Sequence, residues 1–122
     1  MQDKNNEKVF DLKKRTFIFS LEIIKFLKGL RKNYIADVMG KQLLRCASSI
    51  GANIVEAQAA PSKKDFANFF NIALKSANET LYWLTLLKYS GIGNEEKINR
   101  LTGEVQEICK IVAKSLITMR GK

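Results

Sequence analysis

Residues 94–120, NEEKINRLTGEVQEICKIVAKSLITMR, decide the fold. Ile98, Leu101, Val105, Ile108, Val112, Leu116 and Met119 recur at intervals of 3-4-3-4-4-3. That spacing aligns side chains along one side of an α-helix, close to a heptad seam. Asn94 suits an N-cap, and Glu95 and Glu96 complement the positive end of the helix dipole. The pattern predicts a helix over about 95–120 that must bury its apolar seam against other helices.

Three further helices are predicted upstream. One runs over about 35–58 and stops before Pro61, with a core stripe of Met39, Leu43, Ala47, Ile50, Ile54 and Ala57 spaced 4-4-3-4-3. The next runs over about 63–89. Ser62 caps it, Asp65 sits in its first turn, and Ser90-Gly91-Ile92-Gly93 ends it. Its core face is Phe66, Phe69, Phe70, Ala73, Ala77, Leu81 and Leu84, while Ile72, Trp83 and Leu86 project from another side. The first helix, over about 9–32, carries two apolar strips. Phe17, Leu21 and Ile24 fall within about 40° of Phe10 at 100° per residue, and Leu12, Phe19, Ile23, Phe26 and Leu30 lie roughly opposite. Between the strips, in an arc of about 60°, the reading places Lys14, Lys25, Lys28 and Lys32. One buried strip suffices for a lone bundle, so the second points to a partner subunit. Short links make neighbours antiparallel. The expected fold is all-α, an antiparallel up-down-up-down four-helix bundle in one domain spanning residues 1–122.

The 122 residues suffice for one core, and one proline with seven glycines leaves long stretches free of breakers. No apolar run approaches the roughly 18 residues needed to cross a bilayer, and the polar start Met1–Lys8 does not read as a secretory signal. The expectation is a cytoplasmic protein with no membrane partner. Lys and Arg number 21 against 12 Asp and Glu, giving a net charge of +9 and a sequence pI of about 9.7. Residues 1–50 hold 11 cations and 5 carboxylates, so the first helix brings most of the field.

Catalytic chemistry finds little support. The chain has no histidine, which removes Ser-His and Cys-His nucleophile pairs and the Glu-x-x-His ligands of bundle metal sites. Cys46 and Cys109 lack a C-x-x-C neighbour and sit at core spacing, where cysteine acts as a small apolar residue. Gly91-x-Gly93 is too short for a phosphate-cradling loop, and the carboxylates do not cluster. No catalytic residue, metal or cofactor is expected.

Two constellations remain. Gln42, Arg45, Ser49, Asn53 and Glu56, spaced 3-4-4-3, form a polar stripe on the second helix. With Ser76 and Glu79 of the third they make either a hydrogen-bonded network that fixes helix register or a subunit contact, or else a ligand site. The cations Lys14, Arg15, Lys25, Lys28, Lys32, Lys63 and Lys64 are candidate phosphate contacts. Lysine-rich surfaces also serve solubility alone. Tyr34, Tyr82 and Tyr89 suit base stacking, although a bundle's aromatics usually belong to its core.

The run Gln42-Leu43-Leu44-Arg45-Cys46-Ala47-Ser48-Ser49-Ile50-Gly51-Ala52-Asn53-Ile54-Val55-Glu56 resembles the signature of the bacterial four-helix-bundle proteins often labelled S23 ribosomal proteins. These are encoded in intervening sequences of 23S ribosomal RNA genes. Gln42, Arg45, Ser49, Asn53 and Glu56 match the signature's polar positions, and Asp65-Phe66 through Ala73, Ser76 and Glu79 is similar to the family's third helix. Ala57 and Lys75 depart from it where glycine is usual, which bears on helix-end geometry. The resemblance implies a homo-oligomeric helical barrel, pentameric in relatives, without enzymatic activity. It extends to the accessory protein of diversity-generating retroelements, which assists a reverse transcriptase and binds nucleic acid. It implies nucleic acid, RNA foremost, as a partner. The alternative is a scaffold that docks an acidic protein such as a polymerase.

Overall fold

The computed structural model describes the backbone of residues 2–120 and side chains from Asp11 to Arg120. Four helices follow in chain order: α1 (Gln2–Lys28), α2 (Tyr34–Gln58), α3 (Lys63–Tyr89) and α4 (Glu95–Arg120). No strand occurs among the described residues.

Each boundary has a local cause. α1 ends four residues before the expected Lys32, because Gly29 N–H and Leu30 N–H turn back to the carbonyls of Phe26 (3.1 Å) and Leu27 (3.2 Å). Asn33 then caps α2, its side chain accepting from Ala36 N–H at 2.9 Å. α1 also begins earlier than the expected Val9, since nothing between Gln2 and Val9 breaks a helix. Ser62 accepts from Asp65 N–H at 3.1 Å, and Asn94 accepts from Lys97 N–H at 2.9 Å. α3 closes in a Schellman turn. Ile92 N–H reaches Leu87 O at 3.1 Å and Gly91 N–H reaches Lys88 O at 3.2 Å, with Gly91 at φ 71°. Gly93, at φ 91°, abuts Phe26, where a Cβ would come within 2.8 Å of Cζ. Ala57 is simply a buried residue of α2, which runs through it to Gln58, and Lys75 is exposed in mid-α3. Neither departure alters a helix end.

Residue pairs set the topology. Thr16 faces Gly51 and Leu27 faces Gly40 across α1 and α2. Arg45 meets Glu79, and Ser49 meets Ser76, across α2 and α3. Arg15 meets Glu104 across α1 and α4, while Phe26 meets Gly93 just ahead of α4. In each case one number rises as the other falls, so neighbours are antiparallel and the bundle runs up-down-up-down. α2 and α3 pack most extensively; the seam between α1 and α4 is the most open. A groove of about 480 Å³ follows that seam, floored by Phe19, Phe26 and Leu101.

The core takes α2 and α4 as expected: Leu43, Ala47, Ile50 and Ile54 from the first, Val105, Ile108 and Val112 from the second, all inaccessible to solvent. α3 contributes Phe70, Ala73, Ala77, Leu84 and Leu87, with Phe66, Phe69 and Leu81 only partly buried. From α1 come Leu12, Phe19, Ile23 and Phe26. Two threonines are also buried. Thr16 Oγ1 donates to Leu12 O at 2.8 Å, and Thr80 Oγ1 donates to Ser76 O at 2.8 Å. This return to the preceding turn lets a hydroxyl enter an apolar core without an unmet hydrogen bond.

Candidate functional site

α1 buries the strip that begins at Leu12, which turns the other strip outward. Phe17 is 63%, Leu21 50% and Ile24 39% exposed. Phe10 lies outside the residues whose side chains are described. The lysines are not on a third side between the strips. At 100° per residue Lys14, Lys25 and Lys28 fall about opposite the buried strip, alongside Phe17 and Leu21, and all three are exposed. The outward side of α1 is therefore apolar and cationic at once. Beside it, the groove between α1 and α2 encloses about 360 Å³, floored by Phe17, Gly51, Ala52 and Val55 with Lys13 and Lys14 at its edge.

The other candidate cations are dispersed. Arg15 turns toward α4, where its Nε and a terminal nitrogen donate to the two Glu104 oxygens at 2.7 and 2.9 Å. That bidentate pair pushes the guanidinium pKa further up, the hydrogen bonds to Glu104 outweighing desolvation, and occupies Arg15 in holding the seam. Lys32 sits in the link before α2 and not on α1. Lys63 and Lys64 open α3, whereas Lys25 and Lys28 close α1, so antiparallel packing puts the two groups at opposite ends of the bundle. α3 has 27 residues, and at about 1.5 Å each the separation is roughly 40 Å.

The polar stripe of α2 runs along the outer edge of the α2–α3 seam as two clusters. Gln42 Oε1 accepts from Arg45 Nε at 3.2 Å and from its terminal nitrogen at 3.0 Å. Arg45 also donates to Glu79, which accepts from the Trp83 indole N–H at 3.1 Å. The Trp83 hydrogen bond first, then that of Arg45, holds the Glu79 carboxyl below the ordinary carboxylate range against partial desolvation. In the second cluster Ser76 Oγ donates to Ser49 Oγ at 3.0 Å. Asn53 Nδ2 donates to Ser49 O at 2.8 Å and Ser49 Oγ at 3.0 Å. All of the stripe's residues and both α3 partners are thus hydrogen-bonded except Glu56, which is exposed and has no polar partner among the described contacts. Trp83, read from sequence only as an apolar projection, joins because Glu79 precedes it by one turn on the same helix face.

Burial pushes the thiols of Cys46 and Cys109 up, away from the thiolate that reacts. Among the described residues no three His, Cys, Asp or Glu side chains gather where a metal ion could be held, and no helix is long and apolar enough to cross a membrane.

Residues 8–114 match the family model described as 23S rRNA-intervening sequence protein. The chain belongs to that family. Among solved structures, the intervening-sequence fold is shared with a protein of unknown function from the S23 ribosomal protein family of Bacteroides thetaiotaomicron. It is 39% identical, with a TM-score of 0.83, over 89% of this chain and 97% of that one. No match is found among proteins of curated function. The stretch from Gln42 to Glu56 lies within the residues that the intervening-sequence family model matches, and its Gln42, Arg45, Ser49 and Asn53 join the α2–α3 clusters.

Proposed function

We propose that this protein is a self-associating, cytoplasmic, nucleic-acid-binding accessory protein that works by binding and not by catalysis. The outward side of α1 carries the proposal. A helix that buries one strip and still exposes Phe17, Leu21 and Ile24 has apolar area suited to a second copy. The lysines beside it, within a net charge of +9, suit phosphates. A closed ring of copies, five in the assembly that the family resemblance implies, multiplies weak phosphate contacts by holding them together. RNA is named first because the family description ties such chains to rRNA genes. The mixed chemistry of α1 also favours a second reading, a scaffold that docks an acidic amphipathic protein segment, with Lys14, Lys25 and Lys28 pairing its carboxylates.

The test measures RNA binding across a salt series, with the solution mass determined on the same sample. Each phosphate neutralised adds roughly 0.7–0.9 to the slope of log affinity against log salt. The Lys25→Glu/Lys28→Glu variant should lower that slope by about two while leaving the mass unchanged. An assembly that retains no RNA at low salt removes the nucleic-acid reading and leaves the scaffold.

A further inference from the structure

All three tyrosines of the chain stand in solvent. Tyr34 and Tyr89 are each 81% exposed and Tyr82 is 60% exposed, so none belongs to the core. No hydrogen bond among the described residues involves their hydroxyls. A single exposed tyrosine needs no explanation; what matters is where the three lie. Tyr34 opens α2 and Tyr89 closes α3, so antiparallel packing brings both to the same end of neighbouring helices. Tyr82 lies seven residues before Tyr89, two turns back on the same face and about 10 Å away.

That end is also rich in cations. The link between α1 and α2 supplies Arg31 and Lys32, both exposed and neither in an ion pair among the described residues. The Lys88 ammonium stands 5.7 Å from the centroid of the Tyr89 ring, within cation–π range. Residues 25–41 and 88–100 together hold eight Lys and Arg against three Asp and Glu. Cations interleaved with solvent-facing aromatic rings are what an unpaired nucleic-acid strand requires, since every base offers a π-face for stacking and every linkage a phosphate. A duplex buries its bases in the stack and presents chiefly its backbone, so it would leave the rings idle.

We propose that this end of the bundle binds single-stranded nucleic acid, its bases stacked on Tyr34, Tyr82 and Tyr89 and its phosphates held by Arg31, Lys32 and Lys88. The inference rests on the nucleic-acid reading and narrows it to unpaired strands. It adds a contact that depends on bases to the sequence-blind attraction of the α1 lysines.

The experiment titrates the full chain with a short fluorescein-labelled single-stranded RNA, the DNA strand of the same sequence, and the duplex of each. The wild type should favour the single strands. Tyr34→Ala/Tyr89→Ala should weaken single-strand binding by about thirtyfold or more, since loss of base stacking costs roughly fivefold or more per ring, and change duplex binding by less than about twofold. Tyr34→Phe/Tyr89→Phe, which keeps the rings, should bind as the wild type does. Preference for RNA over DNA or the reverse identifies the sugar and leaves the stacking intact. Equal effects of the alanine pair on single strand and duplex, or none on either, overturn the inference while the nucleic-acid reading survives. Wild-type protein that binds neither form but captures a poly-glutamate peptide through Arg31 and Lys32 overturns both.

Discussion

Gly51 marks a close approach of α1 to α2, and replacing it reads how firmly α1 is seated. A Cβ at Gly51 would lie 3.2 Å from Thr16 Oγ1, 3.5 Å from its Cβ and 3.6 Å from its carbonyl carbon. The Thr16 hydroxyl cannot swing aside freely, because it is bonded to Leu12 O at 2.8 Å and Lys13 O at 3.1 Å in a fully buried position. Gly103, inside α4, has nothing within 4 Å of its virtual Cβ. Alanine at a helix-interior glycine gains about 1 kcal/mol from backbone entropy, so Gly103→Ala should stabilise by about 0.5–1 kcal/mol. Gly51→Ala has the same gain offset by about 1–3 kcal/mol of overpacking, which leaves it between neutral and about 2 kcal/mol destabilising. Gly40 falls between, since its Cβ would meet only Leu27 Cδ2 at 3.2 Å, the far end of a flexible side chain. Urea unfolding followed by circular dichroism, at one protein concentration, gives the three values from midpoints at constant m. The order should be Gly103→Ala, then Gly40→Ala, then Gly51→Ala. Thr16→Ala in the Gly51→Ala background should show favourable coupling. If Gly51→Ala stabilises as much as Gly103→Ala, α1 is not seated on α2 in this way.

Phe17→Glu/Leu21→Glu should change monomer stability by less than about 0.5 kcal/mol per site, as exposed substitutions do, yet shift the solution mass toward one chain in light scattering. An unchanged mass would show that this strip is not where copies meet. Glu79 has a depressed folded pKa, so its contribution is complete above the unfolded carboxylate pKa and is lost as pH falls through the folded value. Glu79→Gln should accordingly lose less stability than the wild type between pH 6 and pH 3, roughly the window that spans an ordinary glutamate, and equal losses would show that the pairs with Trp83 and Arg45 contribute nothing.

How legible the molecule was from its residues differs from helix to helix. α2 and α4 each carry one apolar stripe, so periodicity alone located their cores, while Ser62 and Asn94 marked the starts of α3 and α4 by cap chemistry. α1 carries two strips of similar hydrophobicity, and periodicity cannot rank them; only packing against Gly40 and Gly51 decides which is buried. It ends before Lys32 because Gly29 and Leu30 N–H turn back to Phe26 and Leu27, a tightening that periodicity does not register. The polar stripe was visible as a constellation. Its split into two clusters depended on which α3 residues lie opposite, a matter of register. Lys63 and Lys64 share only their charge with the α1 lysines, and antiparallel topology separates them. The tyrosines were weighed by the habits of bundles, which favour buried aromatics, and Phe19, Phe26 and Phe70 fill that role here.

The unequal seams have a thermodynamic consequence. α1 is joined to α4 loosely, by the Arg15–Glu104 pair and an open groove, and the same helix turns its second apolar strip to solvent. Lifting α1 therefore exposes Phe19 and Phe26 while costing little contact with α4. If copies meet at that strip, as proposed, and only while α1 is seated, association and folding share one equilibrium. The midpoint of unfolding should then rise with protein concentration, and dilution should weaken the hold on the first helix.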